Sequence, residues 1–338
     1  MKNKILIIKL GALGDVLRTT CILPALKEKY KNSYIVWLTK QKSTPLLQNN
    51  TLIDRIDNSI ENIIKERFDL VINLDEEIEV CKLASLVGKK VVGAYVKNNK
   101  VDYTEDSKKW FDMGLISKFG KEKADQLKKA NKKSYPEIII NIIGMEFDKK
   151  KDKPQLILTK QEKDFGLDFL KKNDIVKDKL IIGFNTDAGD RWLTKKMGVK
   201  KTVQLIEDIA KTFDAQIILL SESLKKRTQE IIKKAKIKII DSGNNNLRKF
   251  SSIINVCDLI ITSDSLVLHP VIALNKKFIC FFGPTSASEI ETYSLGEKII
   301  PRVDCLCCYR HKCKFKKSCI NKLDNKLFIN AVKKLLNL

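Results

Sequence analysis

The chain has 338 residues, beyond the length at which one hydrophobic core usually keeps growing, so two domains of ordinary size are expected. Hydrophobic residues make up 43% of it and charged residues 31%, a balance that excludes wholesale disorder. The formal net charge of +23 asks for an acidic partner, but only eight of the 64 basic residues are arginine, which argues against specific readout of nucleic acid and for a lysine face against anionic lipid headgroups.

The amino terminus reads Met1-Lys2-Asn3-Lys4 and then an apolar run from Ile5 to Leu10. That run is too brief to span a membrane and lacks a signal-peptide cleavage pattern, so a cytoplasmic chain is expected. Strand-like segments follow at residues 4–10, 34–38, 68–74 and 90–95, and residues 16–29 read as a helix. A lysine-rich stretch at 148–154 closes a first domain at residues 1–155. A second series then begins, with strands at 180–185, 215–220, 236–241, 258–262 and 277–282 and helices at 200–212, 224–234, 247–255 and 266–274; it forms a second domain at residues 156–322. The last segment, 323–338, places Leu327, Phe328, Ala331, Val332, Leu335 and Leu336 on one helical face. Short apolar strands without polar alternation, each followed by a helix, predict parallel sheets covered on both faces, hence two doubly wound α/β domains. In such sheets ligands sit beyond the carboxyl ends of the strands.

Three post-strand loops carry chemistry. The first, Leu10-Gly11-Ala12-Leu13-Gly14-Asp15-Val16, pairs two glycines with a carboxylate at a helix start. It lacks the Gly-Lys-Ser/Thr of a P-loop, and an aspartate there also serves simply as a helix N-terminal residue. The second, Thr186-Asp187-Ala188-Gly189-Asp190-Arg191-Trp192-Leu193-Thr194-Lys195-Lys196, suits a diphosphate. Its helix-entrance N–H groups and the Arg191, Lys195 and Lys196 charges can neutralise a leaving pyrophosphate. The third, Ser263-Asp264-Ser265 through His269, holds one of only two histidines and stands beside Phe282-Gly283-Pro284-Thr285-Ser286. Helix capping accounts for Asp264 and Ser265 individually, but their convergence with His269 at a sheet edge favours a ligand site.

These three stretches, in this order, resemble glycosyltransferase family 9, the ADP-heptose:lipopolysaccharide heptosyltransferases, from residue 4 to about residue 320. The resemblance implies a GT-B fold, two Rossmann-like domains facing an interdomain cleft, with the first holding the acceptor and the second the nucleotide sugar. It implies Asp15 as the general base that deprotonates the acceptor hydroxyl, and inversion at the anomeric carbon as ADP departs, with no cofactor required for catalysis. Thr186 with Lys195 or Lys196 would hold the phosphates, and Asp264, Ser265 and His269 the sugar and diphosphate. Glu222 would lie near the adenosine. Many relatives place a lysine just before the Arg191-Trp192 pair, where this chain has Asp190, so the phosphate cation passes to Arg191 or Lys195. The implied donor is ADP-heptose or a similar nucleotide sugar. The implied acceptor is a lipid-linked oligosaccharide such as lipopolysaccharide core, reached by peripheral contact with an anionic membrane. A protein heptosyltransferase, a GT-B sugar-nucleotide epimerase and, remotely, a basic nucleic-acid-binding protein are the alternatives.

Five of the nine cysteines crowd near the end: Cys305, Cys307, Cys308, Cys313 and Cys319, interleaved with basic residues. Cys305, Cys308, Cys313 and Cys319 have a spacing that can wrap a structural Zn or Fe ion, although it is tighter than in common zinc modules; free reduced thiols are the other reading.

Overall fold

The computed structural model describes residues 3–221 and 226–338, with Asp190 and Arg191 described by backbone alone. The chain divides into two compact units. The first comprises Met1–Ile157 and Ser288–Glu291, and the second comprises Leu158–Ala287 and Thr292–Leu338.

The first unit holds strands β1 (Asn3–Ile8), β2 (Ser33–Leu38), β3 (Arg55–Asp57), β4 (Phe68–Asn73), β5 (Gly88–Lys97) and β6 (Lys100–Tyr103), in sheet order β3-β2-β1-β4-β5-β6. All neighbours pair in parallel except β5 with β6, an antiparallel hairpin. Along β1 the side chains alternate between two cores: Ile5 and Ile7 join one cluster, Leu6 and Ile8 the other, all fully buried. A strand covered on both faces has no room for polar alternation, which is why the run is uniformly aliphatic.

The second unit repeats the plan with β7 (Ile181–Asn185), β8 (Gln216–Leu220), β9 (Ile239–Asp241), β10 (Leu259–Ser263), β11 (Lys277–Phe281) and β12 (Gly296–Ile299), in order β12-β11-β10-β7-β8-β9 and wholly parallel. One face packs Ile182, Phe184, Ile217, Leu219 and Ile261 against the helix Val199–Phe213 and the closing helix Asn325–Leu336, whose Phe328 meets Phe281 at 5.9 Å.

The long helix expected over 16–29 is two helices, Leu13–Thr19 and Ile22–Lys29. Pro24 has no N–H to donate to the carbonyl of Thr20, so the ladder breaks there and the chain turns. The Thr20 hydroxyl closes the first helix by donating to Leu17 O at 2.7 Å. Strands β3, β6 and β12 went unforeseen. They are three or four residues long, lie at sheet edges and leave their residues half-exposed, so no apolar run announces them.

Candidate functional site

In the first unit the strand order reverses between β1 and β4, since β2 and β3 lie on one side of β1 and β4 to β6 on the other. The loops leaving those two strands therefore flank a crevice at the switch point. They are tied together: Asp75 Oδ2 accepts from Leu10 N at 2.6 Å, and Lys9 Nζ donates to Leu74 O at 2.7 Å. Gly11 has open space where a side chain would stand, and Gly14 is buried in the first helical turn.

Asp15 lies in that same turn. Its Oδ2 accepts from Ala12 N at 3.3 Å, and its Oδ1 meets Arg18 Nη2 at 2.8 Å. Arg18 is itself held from three sides: its guanidinium carbon sits 3.8 Å from the centre of the Tyr135 ring and 5.6 Å from that of Trp110, and Nη1 stands 3.7 Å from Glu289 Oε2. Tyr135 is fully buried and shares a 2.6 Å hydrogen bond with the Thr19 hydroxyl; burial pushes its phenol well above the ordinary range. Asp15 thus keeps about a third of its side chain in solvent while one oxygen is fixed by a cation that cannot drift.

The second unit reverses between β7 and β10, so the loops after those strands flank its switch point. Asn185, buried at the end of β7, has its amide nitrogen 2.9 Å from each of three acceptors, Asp187 O, Thr262 Oγ1 and Ser265 Oγ. That side chain joins the two loops. Asp264 Oδ2 takes the Lys195 ammonium at 2.8 Å and the Thr285 hydroxyl at 2.7 Å, and Lys195 also donates to Asp264 O. Burial alone raises the Asp264 carboxyl, but Lys195, Thr285 and the nearby His269 outweigh it and hold it at about 2. Lys196 pairs with Asp187 at 2.7 Å. Gly189, at φ +65°, opens the turn Asp190–Lys195 in a left-handed conformation that glycine adopts without strain.

The cysteine-rich segment closes the same edge. Cys307 N donates to Gly283 O at 3.0 Å, Tyr309 N to Pro284 O at 2.8 Å, and Ser286 N to the Tyr309 hydroxyl at 3.2 Å. His311 stacks on Trp192 with centroids 4.5 Å apart, Thr194 donates to Arg310 O at 2.7 Å, and Lys195 lies 5.3 Å from the Trp192 ring centre. Gly283 is small for a reason: a Cβ there would come within 2.9 Å of Cys319 Sγ. Cys305, Cys308, Cys313 and Cys319 line one cavity of about 520 Å³. Among the described residues, however, no group of three or more His, Cys, Asp or Glu side chains is arranged to hold a metal ion.

Of the residues expected in the donor site, Thr186, Lys195, Lys196, Asp264, Ser265 and His269 stand on the two loops and first helical turns beyond β7 and β10. Glu222 and the side chain of Arg191 lie outside the described residues. The sequence reading missed Arg227. Its half-buried guanidinium donates to Thr186 O at 3.3 Å and to Met197 O, clamping the loop after β7, and partial burial lowers its pKa. It also missed Arg18, Tyr135 and Glu289, which surround Asp15 from positions as far as 274 residues away in the chain.

Two doubly wound units of this construction make up the GT-B fold. The pattern of glycosyltransferase family 9 (heptosyltransferase) matches residues 58–322, and the chain belongs to that family. No curated protein sequence matches it. Among solved structures, a family 9 glycosyl transferase from Veillonella parvula superposes with a TM-score of 0.80 at 16% identity, covering 100% of this chain and 98% of the other. The E. coli ADP-heptose lipopolysaccharide heptosyltransferase II gives 0.67 at 16% identity, covering 100% and 99%. The iron-containing dodecameric glycosyltransferase TibC of enterotoxigenic E. coli gives 0.58 at 10% identity, covering 100% and 77%. These likenesses establish the fold, and membership of the family establishes the enzyme class.

Proposed function

We propose that the chain is an inverting transferase that moves a heptose or similar sugar from ADP-heptose to a lipid-linked oligosaccharide such as lipopolysaccharide core, working in the cytoplasm at an anionic membrane surface. Beyond family membership, the observation that carries this reading is the second unit's switch point. There a carboxylate held at about 2, two lysines, three hydroxyl-bearing residues (Thr186, Ser265 and Thr285) and a histidine meet at one sheet edge. In this reading Lys195 and Lys196 turn from Asp264 and Asp187 toward the diphosphate and take the charge that develops as it leaves. Arg191 adds a third cation, Glu222 lies by the adenosine, and Asp264, Ser265 and His269 position the sugar. Asp15, with one oxygen fixed by Arg18 and the other side open to solvent, accepts the proton of the acceptor hydroxyl. The new bond from that oxygen to the anomeric carbon forms as the bond to the diphosphate breaks, and ADP leaves with the electron pair.

The experiment is a melting-temperature screen over nucleotide sugars followed by transfer assays. A donor that binds only the folded chain raises its melting temperature. Asp15→Ala is expected to abolish transfer while keeping the ADP-induced rise, and loss of that rise would remove Asp15 from the role of base. Lys195→Ala with Lys196→Ala is expected to lose the rise; an unchanged rise would reject the phosphate assignment. An assay without acceptor separates transfer from epimerisation, since only an epimerase turns over alone. A structural Zn or Fe at Cys305, Cys308, Cys313 and Cys319 is proposed on their sharing one cavity. It requires the thiols to draw together, and elemental analysis of purified protein decides it.

A further inference from the structure

The first unit carries an apolar tip that its own packing does not explain. Leu115 is 90% exposed, the highest of any large hydrophobic side chain among the described residues, and Phe119, four residues on, is 61% exposed. Both stand in the loop that joins the helices Lys108–Phe111 and Gly120–Ala130. The loop is anchored, so their exposure is built in. Between them Ile116 packs on the cluster of Cys81, Ala94, Tyr103 and Phe111, Lys118 N donates to the Tyr103 hydroxyl at 3.2 Å, and Lys118 Nζ pairs with Asp102 at 2.6 Å. Ile116 turns inward while Leu115 and Phe119 on either side of it stay in solvent.

The surroundings are basic. Residues 97–133 contain eleven lysines against six acids, and three of those acids are already engaged, Asp102 by Lys118, Glu105 by Lys108 and Asp112 by the Tyr103 hydroxyl. Lys121 and Lys123 lie exposed in the helix that follows Phe119. Lys97 and Lys100 flank the turn of the β5–β6 hairpin, and it is β6 to which the loop is tied.

We propose that Leu115 and Phe119 insert into the headgroup region of an anionic lipid bilayer while the flanking lysines bind its phosphates, so that this loop is where the first unit meets the membrane that carries its acceptor. The inference rests on the transferase reading only in taking that acceptor as lipid-linked. Charge decides the occupant: a second copy of a chain with net charge +23 would bring lysines against lysines, whereas an anionic bilayer satisfies the apolar pair and the cations together. Among the described residues no helix is long and apolar enough to cross a membrane, so the contact is peripheral.

The test is co-sedimentation of the full chain with vesicles of phosphatidylcholine containing phosphatidylglycerol, and with vesicles of phosphatidylcholine alone, at low and high salt. Binding is expected to the anionic vesicles at low salt and to fall steeply with added salt or without the anionic lipid. Leu115→Asp with Phe119→Asp is expected to weaken the partition by more than about tenfold, since two large side chains lose their insertion, with an unchanged melting temperature because both are exposed in water. Lys121→Glu with Lys123→Glu is expected to weaken binding and flatten its salt dependence. The proposal falls if the unaltered chain ignores anionic vesicles, if the Asp variant binds them as well as the unaltered chain, or if that variant instead dissolves an oligomer. The ADP-induced melting shift, read on the same samples, separates the two ideas. A shift without vesicle binding sinks the membrane surface alone, and vesicle binding without a shift sinks the donor reading alone.

Discussion

Asp15 differs from an ordinary helix N-terminal aspartate in having an arginine three residues on that is boxed between two aromatic rings and a second carboxylate. An exposed ion pair at that spacing contributes little and swings freely. Here Tyr135 and Glu289 fix the guanidinium, so it acts as a positioning group for the carboxylate in the proposed reaction. Arg18→Met is therefore expected to lower kcat on the order of a hundredfold, the effect of a small misplacement of a reacting group, without changing donor affinity. Arg18→Lys should recover part of the loss. Steady-state kinetics with the donor titrated separately check this; an equal fall in donor affinity would count against it. Asp15 and its loop were legible in the sequence because glycines and a carboxylate after an apolar run are local signals. Arg18 was equally near but silent, since its role depends on Tyr135 and Glu289, which only folding brings to it.

Among elements, the helix Lys160–Lys172 is bound to the helix Leu247–Val256 by a bidentate fork, Arg248 Nε to Glu162 Oε1 at 2.7 Å and Nη2 to Oε2 at 2.5 Å. The Arg248 hydrogen bonds are the main reason the Glu162 carboxyl drops from its ordinary 4.5 to about 2. Glu162 also closes the capping box of its own helix with Thr159. A carboxyl whose pKa is depressed on folding adds stability that is complete above its unfolded value and disappears as pH falls through its folded one. Glu162→Gln is expected to cost about 2 kcal/mol at neutral pH, and the gap to the unaltered chain should narrow between about pH 4.5 and about pH 2. Urea unfolding at a series of pH values measures it, and a gap independent of pH would contradict the assignment. Leu247–Val256 is the crossover between β9 and β10 and was read from sequence, whereas Lys160–Lys172 precedes the first strand of its sheet and was not. Lys160–Lys172 has two buried side positions, Gly166 and Leu170, and too weak an apolar stripe to announce itself.

At the scale of the whole molecule, each unit carries its own switch point, and the residues assigned to the donor all belong to the second. ADP at about a hundred times its Kd is then expected to add about 2.7 kcal/mol to the stability of the folded chain. Hydrogen exchange should slow at the loops after β7 and β10 and stay unchanged at the core of β1. Protection spread evenly over both units would argue against a donor site confined to the second. In the proposed reading the charge of +23 belongs to this scale too, as a source of attraction to anionic surfaces rather than a determinant of the fold.

The sequence by itself determined two largely parallel α/β units, the approximate place of nine of their strands, and the three post-strand loops to which the chemistry is assigned in the proposed reaction, because continuous burial and post-strand loops leave marks within a few residues of one another. Tertiary structure alone decided the short edge strands, the capture of residues 288–291 by the first unit, the pairing of Lys195 with Asp264 and of Arg18 with Asp15 and Glu289, and the docking of the cysteine segment on the donor loops. Most of these are contacts between side chains or loops distant in the chain. Their free energy comes from burial and charge at a meeting point that no local pattern specifies, so they exist only once the sheets have brought their partners together.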